Sequence, residues 1–411
     1  MEIKNLKKAA ERILKAIKKK EKIIIYGDAD LDGATSVIIL KESIQNLGGE
    51  VSAIYFPDRE KEGYGINKTA LDFLKTISPA LLVALDCGIG NFEEVKIAKT
   101  LGFEVIIIDH HQILDKLPKA QIIVDPKQKG DKYPFKGLAT VGIIFRLSRL
   151  LLKEKMSEVM RKNFLELVAL GTIADMMPEE NENQLFITEG LESLENSWRP
   201  GIKVFLNSIP FTFQEKKYPN FRQKISKIIS ILNVRDIENK MPASFRVLAS
   251  SSLKDAKKII EKLLKKNELK KEKIKEMIQE VEEDLFSSSP FAGARETGDE
   301  AKASSSPFAN ARVNEEIIFK GKSNWELILL SQVASIICNK YKKPTFLFKE
   351  GETKSQGTVR IPKGLDGVKA MMSCRQLLET YGGHPAAAGF SLENENLEKF
   401  RECLNKYFKK I

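Results

Sequence analysis

Three aspartates at every second position, Asp28, Asp30 and Asp32, follow the apolar run "IIIY" in the stretch "YGDADLDGATS". Two later apolar runs also end in acid, "LLVALD" at Asp86 and "EVIIID" at Asp109. The chain has three histidines: His110 and His111 directly follow Asp109, and His384 lies in "YGGHPAAAGF". Carboxylates gathered without partners raise one another's pKa and destabilise the fold, a penalty that divalent cations remove. Oxygen donors with one or two imidazoles suit manganese, and magnesium with weaker preference, and the donors suffice for two ions. Two such ions bridging a phosphoester would polarise it and activate a water in line with the leaving group. If "GDADLD" is extended, Asp28 and Asp32 point the same way, and Gly33 lets the backbone turn tightly into the next helix. The side chains of His110 and His111 point apart, so one can bind metal while the other faces substrate. Helix capping and turn formation account for Asp32 or Asp86 singly, but not for acid at three successive strand ends. A dinucleotide-binding turn would need G-x-G-x-x-G, and a pyrophosphate there would meet three carboxylates.

Positioning such groups requires strands ending at one rim. "KIIIY" (22–26), "LLVALD" (81–86) and "EVIIID" (104–109) are uninterrupted apolar runs bounded by turns, as in buried parallel strands. Between them "GATSVIILKESIQNLG" and "NFEEVKIAKTLG" read as helices closing on glycine. The result is a βαβ series and an open α/β sheet, whose ligands collect beyond the carboxyl ends of the strands. A helical region follows, with "KNFLELVALGTIADMMP" (162–178) its clearest element, then a long charged helix over 251–286 that connects domains. "SSSPFAGAR" (287–295) recurs as "SSSPFANAR" (304–312) in a stretch without Ile, Leu or Val, which reads as a low-complexity insertion. Strands at "VNEEIIFKG", "PTFLFKEG" and "SQGTVRIP", with helices at 325–341 and 366–380, make a smaller C-terminal α/β domain. The expected domains are 1–195, a helical region and connector over 196–286, the insertion over 287–312, and 313–411.

In a chain of 411 residues, 67 lysines and arginines against 56 acids leave a formal charge of +11, which favours polyanionic partners, nucleic acid above all. Cys87, Cys338, Cys374 and Cys403 form no C-x-x-C pair, which argues against structural zinc and a disulfide framework and fits a reducing cytoplasm. No apolar run approaches the roughly 20 residues of a membrane span. The basic N-terminal segment reads as an amphipathic packing helix, not a signal peptide.

Together these motifs resemble the DHH phosphoesterase family, named for its Asp-His-His motif, and its RecJ-like branch of single-strand exonucleases. "GDADLDGATS", "ALDCGIG", "IDHHQ" and "LGTIADMMP" are similar to that family's four motifs. "FPDREKEGYGIN" (56–67) and "VDPKQKGDKYPFKGLATVG" (124–142) resemble its connecting segments, and "SQGTVRIPKG" and "YGGHPAAAGF" its DHH-associated C-terminal domain. The resemblance implies that Asp28, Asp30, Asp32, Asp86, His110 and Asp175 bind two manganese ions, with magnesium as a substitute. It implies that His111 approaches the scissile phosphate, that Asp109 orients a histidine, and that Arg360, Gly382, Gly383 and His384 hold substrate. "SILNVRDIEN" (230–239) lacks the family's Gly-Arg pair, so Asn233 and Arg235 are its candidate DNA contacts; "SNWELILLSQVAS" lacks a His-x-Gly at its helix start. The implied activity is exonucleolytic hydrolysis of single-stranded DNA or RNA, with DNA favoured and 5′ to 3′ by resemblance, in DNA repair, recombination or replication beside proteins of those processes. Two alternatives share the motifs: a phosphodiesterase for short RNA or cyclic dinucleotides, and a replisome scaffold.

Overall fold

The computed structural model describes residues 2–59, 61–113, 116–208, 221–287 and 316–410, except the side chains of Phe286, Ser287 and His384. The duplicated stretch over 288–312 lies outside the described residues. The chain divides into two compact units, 1–267 and 268–411.

In the first unit, five parallel strands, β1 (Ile23–Gly27), β2 (Ala53–Tyr55), β3 (Ala80–Leu85), β4 (Phe103–Ile108) and β5 (Ile122–Val124), lie in the order β2-β1-β3-β4-β5. Successive side chains on a strand serve opposite faces. Accordingly Ile23 and Ile25 enter one core with Leu81, Val83, Ile106 and Ile108, whereas Ile24 and Tyr26 enter the other with Leu82, Ala84, Val105 and Ile107. Both faces are covered, so these strands read as continuous apolar runs.

Helix α1 (Leu6–Lys19) buries Leu6, Ala9, Ala10, Ile13 and Ala16 at helical spacing and packs on α5 (Thr140–Leu152), its lysines on the opposite face. Helix α2 (Leu31–Asn46) is apolar nearly all round and is enclosed by β1, α5 and α6 (Glu158–Ala174). The other face carries α3 (Lys68–Leu74) and α4 (Phe92–Thr100) through Ala70, Leu71, Leu74, Val95 and Ala98. The unit continues through α7 (Asn181–Leu194), α8 (Pro200–Asn207), α9 (Phe221–Leu232), the short pair β6 (Ile237–Glu238) and β7 (Met241–Pro242), and α10 (Ala243–Leu248). The long helix expected over 251–286 is α11 (Leu253–Ser287), and the division between the units falls within it.

The second unit is a five-stranded sheet, β8 (Ile318–Lys322), β9 (Thr345–Glu350), β10 (Lys354–Arg360), β11 (Thr380–His384) and β12 (Ala387–Glu393), in the order β11-β12-β10-β9-β8. Only β8 and β9 run parallel; the other neighbours are antiparallel. Phe346 and Phe348 pack with α13 (Gly367–Ser373) and α14 (Leu397–Phe408) on one face, while Leu347 packs with α12 (Leu327–Tyr341) and Ile274, Met277 and Val281 of α11 on the other.

Three expectations change. The helix expected over 366–380 ends at Ser373, because from Thr380 the backbone is taken up in pairing with β12. The cysteines do include a disulfide, Cys374–Cys403; the packing of α13 on α14 brings residues 29 apart in sequence to a Cα separation of 6.1 Å, which spacing along the chain does not reveal. Cys87 and Cys338 are free and buried. Thirdly, residues 313–315 of the strand expected at "VNEEIIFKG" lie outside the described residues, and of the rest the strand takes up Ile318 onward.

Candidate metal centre

The strand order reverses between β1 and β3, because β2 lies on one side of β1 and β3 on the other. A crevice opens beyond the carboxyl ends of the strands at such a point. The acids stand at those tips in register: Asp28 N–H donates to the Leu85 carbonyl (3.2 Å), Asp86 N–H to Ile108 (3.0 Å) and Asp109 N–H to Val124 (3.0 Å). Asp125 is a fourth buried acid at the tip of β5, and burial pushes its carboxyl up to about 7.

The three aspartates of the first motif are not arranged as one extended stretch. Asp30 is the N-cap of α2, accepting from Gly33 N–H (2.9 Å), and Asp32 lies in the first helical turn. The helix therefore separates Asp32 from Asp28, and Asp28 instead groups with Asp30 and Asp86. Gly33 is required by close approach: a Cβ there would lie 2.3 Å from the Asp28 carbonyl oxygen.

Asp32 is buried, and both its oxygens accept from the N-terminus of α5, Oδ1 from Val141 N–H (2.9 Å) and Oδ2 from Thr140 N–H (2.8 Å). Burial, with the charges of Asp175 and Asp30, nevertheless drives its carboxyl well above the ordinary range. Asp86, in a left-handed backbone conformation (φ 61°), accepts from the Thr140 hydroxyl (3.0 Å). Burial first, then Asp32 and Asp30, raise it likewise. Asp175 follows the last turn of α6, and burial and Asp30 push it up to about 6.

His110 Nε2 lies 3.3 Å from Asp175 Oδ2, 3.5 Å from Asp86 Oδ1 and 4.0 Å from Asp32 Oδ2. Neither of its ring nitrogens makes a hydrogen bond of good geometry, although the residue is buried and the Leu138 backbone lies beside the ring. Burial and the neighbouring His111 hold it down to about 3, so it is a neutral donor at ordinary pH. Against the expectation that the two side chains point apart, the His111 ring stays beside that of His110, with centroids 4.6 Å apart and planes tilted by 58°; it is partly exposed and holds Nδ1 2.7 Å from Asp109 Oδ1. Burial, the largest single influence, lowers the His111 pKa, but the bond to Asp109 together with the charges of Asp109, Asp175 and Asp32 makes the net shift upward. Asp109 also accepts from the N–H groups of His110 (2.8 Å), His111 (3.1 Å) and Ile89 (3.1 Å), and these contacts overcome burial and lower its carboxyl.

Among the described residues, ligating atoms within 4.8 Å of one another occur in three groups: Asp86, His110 and His111; Asp32, His110 and Asp175; and Asp28, Asp30 and Asp86. Buried carboxylates forced toward protonation beside an imidazole without a well-formed hydrogen bond are what a divalent cation would satisfy, and the mixed oxygen and nitrogen donors fit manganese.

Sequence reasoning gave no role to Arg59, Tyr64 or Thr140. Arg59 donates from Nε to Asp28 Oδ1 (2.8 Å) and from Nη2 to Asp30 Oδ2 (3.0 Å), and meets Asp28 Oδ2. The Tyr64 hydroxyl donates to the Asp86 carbonyl (3.0 Å) and lies 3.3 Å from His111 Nδ1. All three residues lie in the connecting segments 56–67 and 124–142, which carry no periodicity to mark them.

The remaining candidates are not members of these ligating groups. Asn233 is exposed, and Arg235 forms an ion pair with Asp58. In the second unit, Arg360, Gly382 and Gly383 line a cavity of about 410 Å³ with Ser331, Gln356 and Thr358. Arg360 is fixed there by bonds to Ser335 Oγ (3.0 Å), Thr358 Oγ1 (3.0 Å) and the Val359 carbonyl (2.8 Å). Gly383 has φ 135° and its Cβ position lies 2.6 Å from the Ala387 carbonyl oxygen, so no side chain fits. The backbone of His384 ends β11; its side chain lies outside the described residues.

The chain thus joins an open parallel sheet, with acids and adjacent histidines at its strand tips, to an α/β unit with a glycine-lined cavity. The chain carries DHH and DHHA1 domains: residues 22–172 match the model of the DHH family, N-terminal domain, and residues 308–410 match the DHHA1 domain. It is 33% identical over 406 residues to the single-stranded-DNA-specific exonuclease RecJ of Bacillus subtilis (strain 168), covering 98% of this chain and 48% of that protein. To the protein of that name from Salmonella typhimurium it is 28% identical over 413 residues, 96% of this chain and 67% of that one. The chain thus spans about half the length of the Bacillus relative. Its fold is shared with a manganese-bound exonuclease RecJ (TM-score 0.76, 24% identity, 100% of this chain and 96% of that one). The same holds for RecJ in complex with Mn2+ from Thermus thermophilus (TM-score 0.79, 23% identity, 100% and 55%).

Proposed function

We propose that this chain is a divalent-metal-dependent exonuclease that hydrolyses the phosphodiester bonds of single-stranded nucleic acid, DNA in preference to RNA and from the 5′ end, in cytoplasmic DNA repair, recombination or replication. The observation that carries the reading is the pair of buried, uncompensated carboxylates, Asp32 and Asp86, around the ring of His110. The names of the relatives favour single-stranded DNA as substrate.

Asp28, Asp30, Asp32, Asp86, His110 and Asp175 would hold two manganese ions, with magnesium acceptable to the oxygen-rich group of Asp28, Asp30 and Asp86. When bound, the ions would supply Lewis-acid polarisation of the phosphodiester and a water acidic enough to attack it. Asp109 fixes the His111 ring through Nδ1 and favours its protonated form, so His111 can donate from Nε2 to charge developing on the phosphate. Thr140 and the N-terminus of α5 hold Asp86 and Asp32 in place before any cation arrives. Arg360, anchored on three sides, presents its guanidinium to a phosphate of the strand, and the glycine pair lets backbone approach closely. His384 joins that loop, and Asn233 and Arg235 add contacts to the strand. Catalysis is thereby assigned to the segment 1–195 and strand holding to 313–411.

The test is manganese-dependent degradation of long single-stranded DNA and RNA side by side, end-labelled, with Asp86→Ala as control. Release of 5′ label first, from DNA faster than RNA, is expected. Equal activity in Asp86→Ala, or turnover confined to dinucleotides, would refute the reading.

A further inference from the structure

Charge compensation in the acidic cluster is uneven. Asp28 and Asp30 carry the Arg59 guanidinium, through Nε and Nη2 on Asp28 and through Nη2 on Asp30. Asp32, Asp86 and Asp175 form no ion pair with lysine or arginine among the described residues, and neither nitrogen of His110 makes a hydrogen bond of good geometry. One prospective cation position is therefore already filled by a side chain of the protein, and the other is filled by none.

We propose that Arg59 is an internal counter-ion competing for the Asp28, Asp30 and Asp86 position, so that the two divalent ions load in order, the His110 position first and the Asp28 position second, with withdrawal of the Arg59 side chain. The inference rests on the reading that the cluster takes two divalent cations. An ion entering among Asp32, Asp86, His110 and Asp175 displaces no side-chain cation and relieves repulsion between buried carboxylates. An ion entering between Asp28 and Asp30 must break two charge-assisted hydrogen bonds, one of them to the buried Asp28, before it can coordinate.

The surroundings of Arg59 permit that exchange. Its side chain is 43% exposed, so it can leave toward solvent without disturbing the core. The segment that carries it is pinned on both sides: Asp58 pairs with Arg235, and Glu62 accepts from Lys240 (2.9 Å) and the Tyr55 hydroxyl (2.7 Å). A rotamer change of one side chain is then sufficient, and the exposed Tyr64 ring, 5.3 Å from the guanidinium carbon, remains beside it as a cation–π partner.

The experiment is titration of the metal-free full chain with manganese, by calorimetry and by the electron paramagnetic resonance signal of free ion, with circular dichroism to check each variant. The wild type should bind two ions in unequal steps. Arg59→Gln should tighten the weaker step by about tenfold or more and leave the tighter one within about threefold. Arg59→Lys, which keeps the charge without the fork, should fall between and serves if the glutamine variant does not fold. His110→Ala should weaken the tighter step. Two steps with the weaker one unchanged or loosened in both Arg59 variants would overturn the loading order alone. Absence of manganese binding to the wild type would overturn the two-cation reading with it.

Discussion

Two clusters in the first unit bury aspartate almost completely, yet with opposite electrostatic outcomes. Asp236, 4% exposed, is met by Arg246, by Lys262 (2.9 Å) and by Lys266 (2.6 Å), the two lysines coming from α11. Burial would raise its carboxyl, but the bonds from Lys266 and Lys262 prevail and hold it low. Asp32 and Asp86, 1% exposed, form no ion pair with lysine or arginine among the described residues and are driven upward. Burial alone thus does not separate a structural carboxylate from a functional one. What separates them is whether the protein supplies the counter-charge itself, as at Asp236, or leaves it to be supplied from outside.

The largest effect should come from removing a carboxylate of the uncompensated kind. Asp86→Ala should lower manganese-dependent release of nucleotides from single-stranded DNA on the order of a thousandfold, which is several kcal/mol of transition-state stabilisation. The same variant should unfold no earlier than the wild type without metal, because a repulsive charge has gone; a clear loss of metal-free stability would break the contrast. Next in size, manganese at about 100 times its dissociation constant should stabilise the wild type by roughly 2.7 kcal/mol against urea and leave Asp86→Ala nearly unmoved.

The compensated cluster should respond in the reverse sense. Asp236→Asn should cost about 2 kcal/mol in urea unfolding, since Lys266 loses its carboxylate and Arg246 and Lys262 keep only that of Glu238 among the described residues, and should leave nuclease activity intact. Because the folded carboxyl is held below its ordinary range, its contribution is complete above that range and is lost as the pH falls through the folded value. The gap between wild type and Asp236→Asn should therefore close in acid, and a gap that widens there would contradict the assignment. The smallest effect is expected in the second unit, where Arg360→Ala should weaken binding of a labelled single strand about tenfold and flatten its salt dependence, measured by anisotropy.

The central strands were legible because burial on both faces leaves uninterrupted apolar runs at β1, β3 and β4. β2 and β5, three residues each, were too short to carry such a signal. Acid at the strand tips could be read as a cluster, but its internal grouping could not: alternation suggested Asp28 with Asp32, whereas capping of α2 by Asp30 places Asp28 with Asp30. Thr140 reaches Asp32 from over a hundred residues away, and Arg59 reaches Asp28 and Asp30 from about thirty; no local pattern encodes such contacts. The Cys374–Cys403 bond escaped for the same reason, since only the packing of α13 on α14 joins them.

Asp28, Asp86 and Asp109 are each one rung of a hydrogen-bonded ladder, tied by the N–H of each to the last residue of the neighbouring strand. Sliding β3 by a single position against β1 would carry Asp86 about 3.3 Å along the strand axis and turn its carboxylate to the opposite side of the sheet. Mispaired molecules would be folded and compact yet blind to manganese. Cation uptake would therefore report faithful strand alignment, a check on folding quality that secondary-structure spectroscopy does not provide.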